Sequence, residues 1–205
     1  MFNFSTSLLI PALVLEDEPV QQQRIAKILA AFGYQEDEIF YAQTIEFALD
    51  ICSQQPIQFM LVDLNLPDGN GIDFIQKIRA RRHYQNQIPI MVLSAWNTLD
   101  VIYKALSVGA TGYVLKEKDD FELMFAIRTM LRGGIIIDPT IAKQILSRFK
   151  DNLVDTNTNK EHILSPREQE ILIHISNGLN SREIGDLLHI SKNTVDVHIR
   201  NIYQK

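Results

Sequence analysis

Four chemically capable groups in this chain each stand directly after a short apolar run. Glu16 and Asp17 follow Ala12-Leu13-Val14-Leu15, and Asp63 follows Phe59-Met60-Leu61-Val62. Ser94 follows Ile90-Met91-Val92-Leu93, and Lys116 follows Tyr113-Val114-Leu115. Such runs, bounded by turn residues, read as buried strands. Open parallel sheets place their ligands at the ends of those strands. Carboxylates gathered at one edge repel and raise one another's pKa unless a cation intervenes. Mg²⁺ suits the position, because it binds through one or two carboxylates and keeps several waters. Lys116 adds a point positive charge and Ser94 a hydroxyl donor, a set suited to a phosphoryl group with charge spread over its oxygens. Asp63, the lone carboxylate at the tip of the central run, is the candidate nucleophile and would form an acyl phosphate. Taken singly, each group has a plainer explanation. Glu16-Asp17-Glu18 would favour a helix N-terminus, Ser94 would serve a turn, and Lys116 would be a solvated charge beside Glu117, Lys118, Asp119 and Asp120. The ordered conjunction is what argues for one site.

The elements that must position these groups follow from hydrophobic spacing. Strands are predicted at 12–15, 38–42, 59–62, 90–93 and 113–115. Ile25, Ile28, Leu29 and Phe32 recur at helical spacing before Gly33, a favourable stop. Further helices are predicted over about 44–52, from Gly71 onward, over 99–108 before Gly109, and over 121–131 before Gly133-Gly134. Five strands alternating with five helices imply an α/β, doubly wound parallel five-stranded sheet. Pro67 and Gly71 fix the loop after Asp63. Another helix is expected over about Thr140 to Phe149, and the polar 151–161 stretch reads as a linker.

The C-terminal stretch is different in kind. Ser165-Pro166-Arg167-Glu168 is a capping box with Pro at N1, and Asn180-Ser181-Arg182-Glu183 is a second. Ser191 caps a third helix from Lys192. Two capped helices separated by a turn form the helix-turn-helix pattern.

The first part resembles the receiver domain of two-component response regulators. The resemblance rests on Glu16-Asp17, Asp63-Leu64-Asn65-Leu66-Pro67-Asp68-Gly69-Asn70-Gly71, Leu93-Ser94-Ala95 and Gly109-Ala110-Thr111-Gly112-Tyr113-Val114-Leu115-Lys116. It implies a flavodoxin-like fold whose Asp63 is phosphorylated by a histidine kinase. By the same resemblance Asp17, Asp63 and the Asn65 backbone carbonyl ligate Mg²⁺, with Glu16 acting mainly through water. Ser94 would move to bond the phosphoryl group as Tyr113 turns inward. Glu16 stands where Asp is commoner.

The last part resembles the LuxR-type helix-turn-helix of NarL/FixJ-like regulators, through Leu164-Ser165-Pro166-Arg167-Glu168, Gly178 to Ile184 and Ile190 to Ile199. The resemblance implies that the helix from Lys192 enters the major groove of double-stranded DNA. Lys192, Thr194 and Arg200 would reach phosphates or base edges, Asp196 and Val197 would point the same way, and His198 would be a helix-face or phosphate contact. Arg200 could pair with guanine and Asp196 accept from a cytosine amine. The domains expected are a receiver over 10–132, a helical linker over 133–162 and a small all-α helix-turn-helix domain over 163–205 that lacks the family's final helix. A homodimer on phosphorylation is implied, as is packing of the two domains against each other before it.

Composition bounds these readings. An apolar share of 46% supports a proper core, and a net charge of −5 does not announce a nucleic-acid binder. From Lys160 onward acidic and basic residues balance, so DNA affinity would lean on dimerisation and on local placement of Lys and Arg. One cysteine, Cys52, permits no intramolecular disulfide and fits a reducing cytoplasm. No apolar run has the length of a membrane span, and the start lacks signal-peptide features. A phosphorylation-switched regulator is the reading, not an enzyme. Aspartate-based phosphatases use a second acid where Asn65 stands. A phosphorylation-dependent interaction module without DNA binding is the other rival.

Overall fold

The computed structural model describes residues 8–84, 88–96, 98–143, 146 and 164–204. Its first part is a parallel sheet of β1 (Ala12–Leu15), β2 (Ile39–Ala42), β3 (Phe59–Val62), β6 (Ile90–Ser94), β7 (Gly112–Leu115) and β8 (Ile136–Ile137). The order is β2-β1-β3-β6-β7-β8. A two-residue hairpin, β4 (Asn65–Leu66) with β5 (Gly69–Asn70), follows β3. The intervening helices are α1 (Pro19–Phe32), α2 (Ile45–Gln54), α3 (Gly71–Ala80), α4 (Leu99–Ser107) and α5 (Asp120–Leu131). The five predicted strands are all present. The hairpin and β8 are additions, each too short to leave a periodic signal. Residues 139–143 form helix α6, where a helix was expected. The rest of that expected helix, apart from residue 146, and the 151–161 linker lie outside the described residues.

Strand side chains alternate between two cores, as the pleat requires. Leu13, Leu15, Met60, Val62, Ile90 and Val92 face one core, with Ala48 of α2, Phe74 and Ile75 of α3 and Ile102 of α4. Ala12, Val14, Phe59, Leu61, Met91 and Leu93 face the other, with Ile25 and Leu29 of α1 and Leu123, Ile127 and Met130 of α5. Because both faces are covered, these strands are continuously apolar rather than alternating. β1 neighbours both β2 and β3, so the chain reverses its winding direction there. The crevice that opens at such a point lies beyond the C-terminal ends of β1 and β3.

The C-terminal helices are α7 (Pro166–Ser176), α8 (Ser181–Leu188) and α9 (Lys192–Gln204). Both expected capping boxes form: the Ser165 amide donates to Glu168 at 2.7 Å and the Asn180 amide to Glu183 at 2.8 Å, each with the reciprocal bond. Ser191 accepts from the Thr194 amide at 3.0 Å. The turn between α8 and α9 passes so close that a Cβ on Gly185 would lie 2.8 Å from the Ile190 carbonyl oxygen. Leu172, Ile184, Val195, Ile199 and Ile202 form the apolar centre of this trio. Besides α7 and α8, α9 contacts α4 of the first domain.

One half-buried cation fastens the loops on the far side of the sheet. Arg79, near the end of α3, donates to the carbonyls of Gly109 (2.8 and 3.0 Å), Tyr84 (2.9 Å) and Ile88 (2.9 Å). Burial pulls its guanidinium down to about 10. Replacing it would leave several partly buried carbonyls without their donor. Arg79→Met is expected to lower the unfolding free energy by about 3 kcal/mol, and Arg79→Lys should recover only a minor part. Urea denaturation of the three proteins measures this; an unchanged midpoint for Arg79→Met would contradict the account.

Candidate functional site

Strand register brings the predicted groups together. Leu15 pairs with Val62, so Glu16 and Asp63 leave the sheet side by side. Ser94 pairs with Leu115, which places Lys116 next. The ladder continues one step past the strands: the Asp63 amide donates to Leu15 at 2.8 Å and the Lys116 amide to Ser94 at 3.0 Å. Glu16, Asp17, Asp63, Ser94 and Lys116 thus share one edge.

Glu16 and Asp63 are buried, at 1% and 4% exposure. Lys116 reaches between them, its Nζ 2.8 and 2.9 Å from the Glu16 oxygens and 2.9 Å from Asp63 Oδ2. Asp63 Oδ1 accepts from the Leu64 amide at 2.7 Å. Burial raises the Glu16 carboxyl above its ordinary range, and Asp63 adds to this while Lys116 opposes it. For Lys116, burial acts to depress the ammonium, but Glu16 and Asp63 outweigh it and hold it above the usual lysine range. Glu16, Asp17 and Asp63 each offer an oxygen, all within 4.8 Å of one another. Three carboxylates against one ammonium leave an excess of two negative charges. That charge and this all-oxygen donor set fit a hard divalent cation. When bound, Mg²⁺ would neutralise that excess and polarise a phosphoryl oxygen.

The loop after Asp63 is closely made. A Cβ on Gly71 would fall 2.1 Å from the Asp63 carbonyl oxygen, so glycine alone fits there. Asn65 begins the hairpin opposite Asn70. Asp68 accepts from the Ile45 and Glu46 amides at 2.9 and 3.0 Å, tying the loop to the start of α2. Slight desolvation acts the other way, but these amides hold the Asp68 carboxyl below its ordinary range.

Ser94 and Tyr113 are both buried, at 1%. Ser94 Oγ accepts from the Trp96 amide at 3.3 Å, and the Tyr113 hydroxyl donates to the Trp96 carbonyl at 2.7 Å. Burial, with some help from the Asp63 charge and against the Ser94 hydroxyl, pushes the Tyr113 phenol up to about 12. The aromatic ring expected to turn inward on phosphorylation is already inside.

In the helix-turn-helix, Thr194, Val197 and Arg200 are exposed, and Lys192 and His198 are half-buried. The expectation that Asp196 points outward with Val197 is corrected. Asp196 is buried at 7% and Val197 is 49% exposed, because successive helix positions lie about 100° apart. Asp196 Oδ2 sits 3.2 Å from Lys192 Nζ, and Oδ1 has no hydrogen-bond partner.

Sequence reasoning did not find Arg24, Asp68 or Trp96. Arg24, on α1, donates to the carbonyls of Lys116 (2.9 Å) and Lys118 and to Asp120 Oδ1 (2.7 Å). No local pattern announces a contact made so far along the chain.

With this geometry, comparisons with known proteins agree. Residues 12–128 match the family model of the response regulator receiver domain, and residues 162–205 that of the bacterial regulatory proteins of the luxR family. The oxygen regulatory protein NreC of Staphylococcus carnosus is 32% identical over 168 residues, covering 80% of this chain and 76% of its own. The transcriptional regulatory protein DegU of Brevibacillus brevis is 26% identical, with 96% and 87% covered. Among solved structures, the Salmonella typhimurium response regulator RcsB superposes with a TM-score of 0.60 at 20% identity, covering 97% of this chain and 93% of that one. The chain belongs to the NarL/FixJ-family response regulators, which join a receiver domain to a LuxR-type helix-turn-helix and act in transcription regulation.

Proposed function

We propose that Asp63 is the phosphoacceptor, loaded by a sensor histidine kinase, and that its phosphorylation controls the helix-turn-helix. The observation that carries this is the Asp63 carboxylate held between the Leu64 amide and the Lys116 ammonium, beside Glu16 and Asp17. An Asp63 oxygen would attack phosphorus, forming an O–P bond as the P–N bond of the donor phosphohistidine breaks and its electron pair stays on the imidazole. Lys116 takes up charge on the phosphoryl oxygens, and Ser94, one strand over, is the hydroxyl that would donate to them. Glu16, Asp17, Asp63 and the Asn65 carbonyl would hold Mg²⁺. Tyr113 and Ser94 share Trp96 as a backbone partner, so a change at Ser94 would be felt by the ring and by the chain leading into α4.

That chain matters because α4 contacts α9. A receiver over 10–132 would thereby restrain the helix-turn-helix of 163–205 through contact as well as through the 133–162 linker. Once freed, α9 would present Lys192, Thr194, Val197, His198 and Arg200 to double-stranded DNA, with paired copies of the protein supplying the affinity that a charge-balanced domain lacks. Asp196 would become a DNA contact only if the pairing with Lys192 rearranged. A cytoplasmic location follows from this role; among the described residues no helix is long and apolar enough to cross a membrane.

Intact mass after incubation with Mg²⁺ and acetyl phosphate tests the central claim. The protein should gain one phosphoryl group and Asp63→Asn none; equal labelling of both would place the chemistry elsewhere. Lys116 also carries a metal-linked expectation. Without it, two buried carboxylates lose their counter-charge, so Lys116→Met in EDTA should be destabilised by about 3 kcal/mol. Added Mg²⁺ should recover much of that loss, as read by thermal melting. If Mg²⁺ stabilises neither the variant nor the parent protein, the acidic cluster is not a metal site.

A further inference from the structure

Helix α1 touches both sides of the pocket. On the acidic side, the Gln22 side-chain amide donates to the Glu16 carbonyl. On the basic side, Arg24 donates from Nη1 to the Lys116 carbonyl at 2.9 Å, from Nη2 to the Lys118 carbonyl and from Nε to Asp120 Oδ1 at 2.7 Å. The Lys116 amide is bound separately to the Ser94 carbonyl at 3.0 Å. Both polar main-chain groups of Lys116 are therefore engaged, one by the sheet and one by Arg24.

This double attachment has a mechanical meaning. Lysine carries its ammonium on a flexible four-carbon stem, and the position of that charge depends on how well its root is fixed. The Lys116 root lies where β7 has ended and α5 has not begun, a stretch with few ladder bonds of its own. The guanidinium is a planar fork suited to several acceptors at once, and here it spans the loop from Lys116 to Asp120. Gln22 and Arg24 are two residues apart on one rigid helix. The separation between the Glu16 main chain and the Lys116 main chain is thus set by α1 as well as by the sheet.

We propose that Arg24 is a positioning residue for phosphoryl transfer to Asp63, acting through the Lys116 main chain. This rests on the reading of Asp63 as the phosphoacceptor. Arg24 touches neither Asp63 nor the metal-binding carboxylates, so its loss should slow the chemistry while sparing metal binding. Displacement of a charge by a fraction of an ångström to an ångström is enough to lower such rates substantially.

The test compares the full chain with Arg24→Met, Arg24→Lys and Asp120→Asn. Acetyl phosphate is the donor at saturating Mg²⁺; in that reaction the Asp63 O–P bond forms as acetate leaves. Calorimetric titration gives Mg²⁺ affinity, and thermal melting checks the fold. Arg24→Met should phosphorylate about tenfold more slowly, equivalent to about 1.4 kcal/mol, with Mg²⁺ affinity unchanged within about twofold. Arg24→Lys should restore part of the rate, because one ammonium can meet a carbonyl but not the whole loop. Asp120→Asn keeps an acceptor for Nε and both carbonyl bonds, and should phosphorylate at the parent rate. A parent-like rate for Arg24→Met overturns the proposal. So does a joint fall of rate, Mg²⁺ affinity and melting temperature, which would mark general loosening. Failure of the parent protein itself to accept phosphate would instead overturn the reading of Asp63.

Discussion

The structure is organised by a charge constraint: two carboxylates are buried, a third stands beside them, and one ammonium serves the group. Taking carboxylates out of water costs several kcal/mol each unless they are paired. Lys116, with its Nζ within 3 Å of both Glu16 and Asp63, makes that burial possible. The compensation is deliberately incomplete. It leaves a net negative cavity whose oxygen donors suit a dication. Much of the surrounding architecture serves this arrangement. Register aligns the strand ends, Gly71 lets the next helix start against the Asp63 carbonyl, and Asp68 ties the intervening loop to α2.

The connection from this pocket to the rest of the molecule runs through backbone partners. Ser94 and Tyr113 both bond Trp96, and the chain passes from there into α4, which touches α9. On the other side, Lys118 pairs with Glu122 at 2.9 Å and Asp138 at 3.2 Å. Asp138 in turn accepts from the Thr140 amide at the start of α6. Lys116 and Lys118, two residues apart, thus look respectively into the pocket and toward the linker. The sheet edge and the segment leading to the second domain share one short loop.

What was legible in the sequence was what local chemistry encodes. Apolar runs located the strands, and the carboxylates, hydroxyl and ammonium at their ends located the site. Capping boxes at Ser165 and Asn180 located the helices of the second domain. What escaped notice depends on distant partners. Arg24 looks like any polar position on a surface helix until α1 is laid against the β7–α5 loop. Asp68 looks like a turn aspartate until α2 arrives beneath it. Asp196 was misjudged for a nearer reason: one residue turns a helix by about 100°, and here that step separates buried Asp196 from exposed Val197. The Tyr113 hydroxyl likewise has a distant main-chain partner, the Trp96 carbonyl, that no local pattern announces.

The short strand β8 has a consequence of its own. Ile136–Ile137 pairs in parallel with Gly112 and Tyr113, so the segment leading to the second domain also closes one side of the receiver sheet. An unpaired strand at that position would offer its amides and carbonyls to any passing chain. The linker therefore guards against mispairing between molecules, and it does so with only a two-residue grip. Any regulatory motion that draws the second domain away must either spare that grip or uncover the Gly112 side of β7, which bounds how far the linker can travel without inviting aggregation.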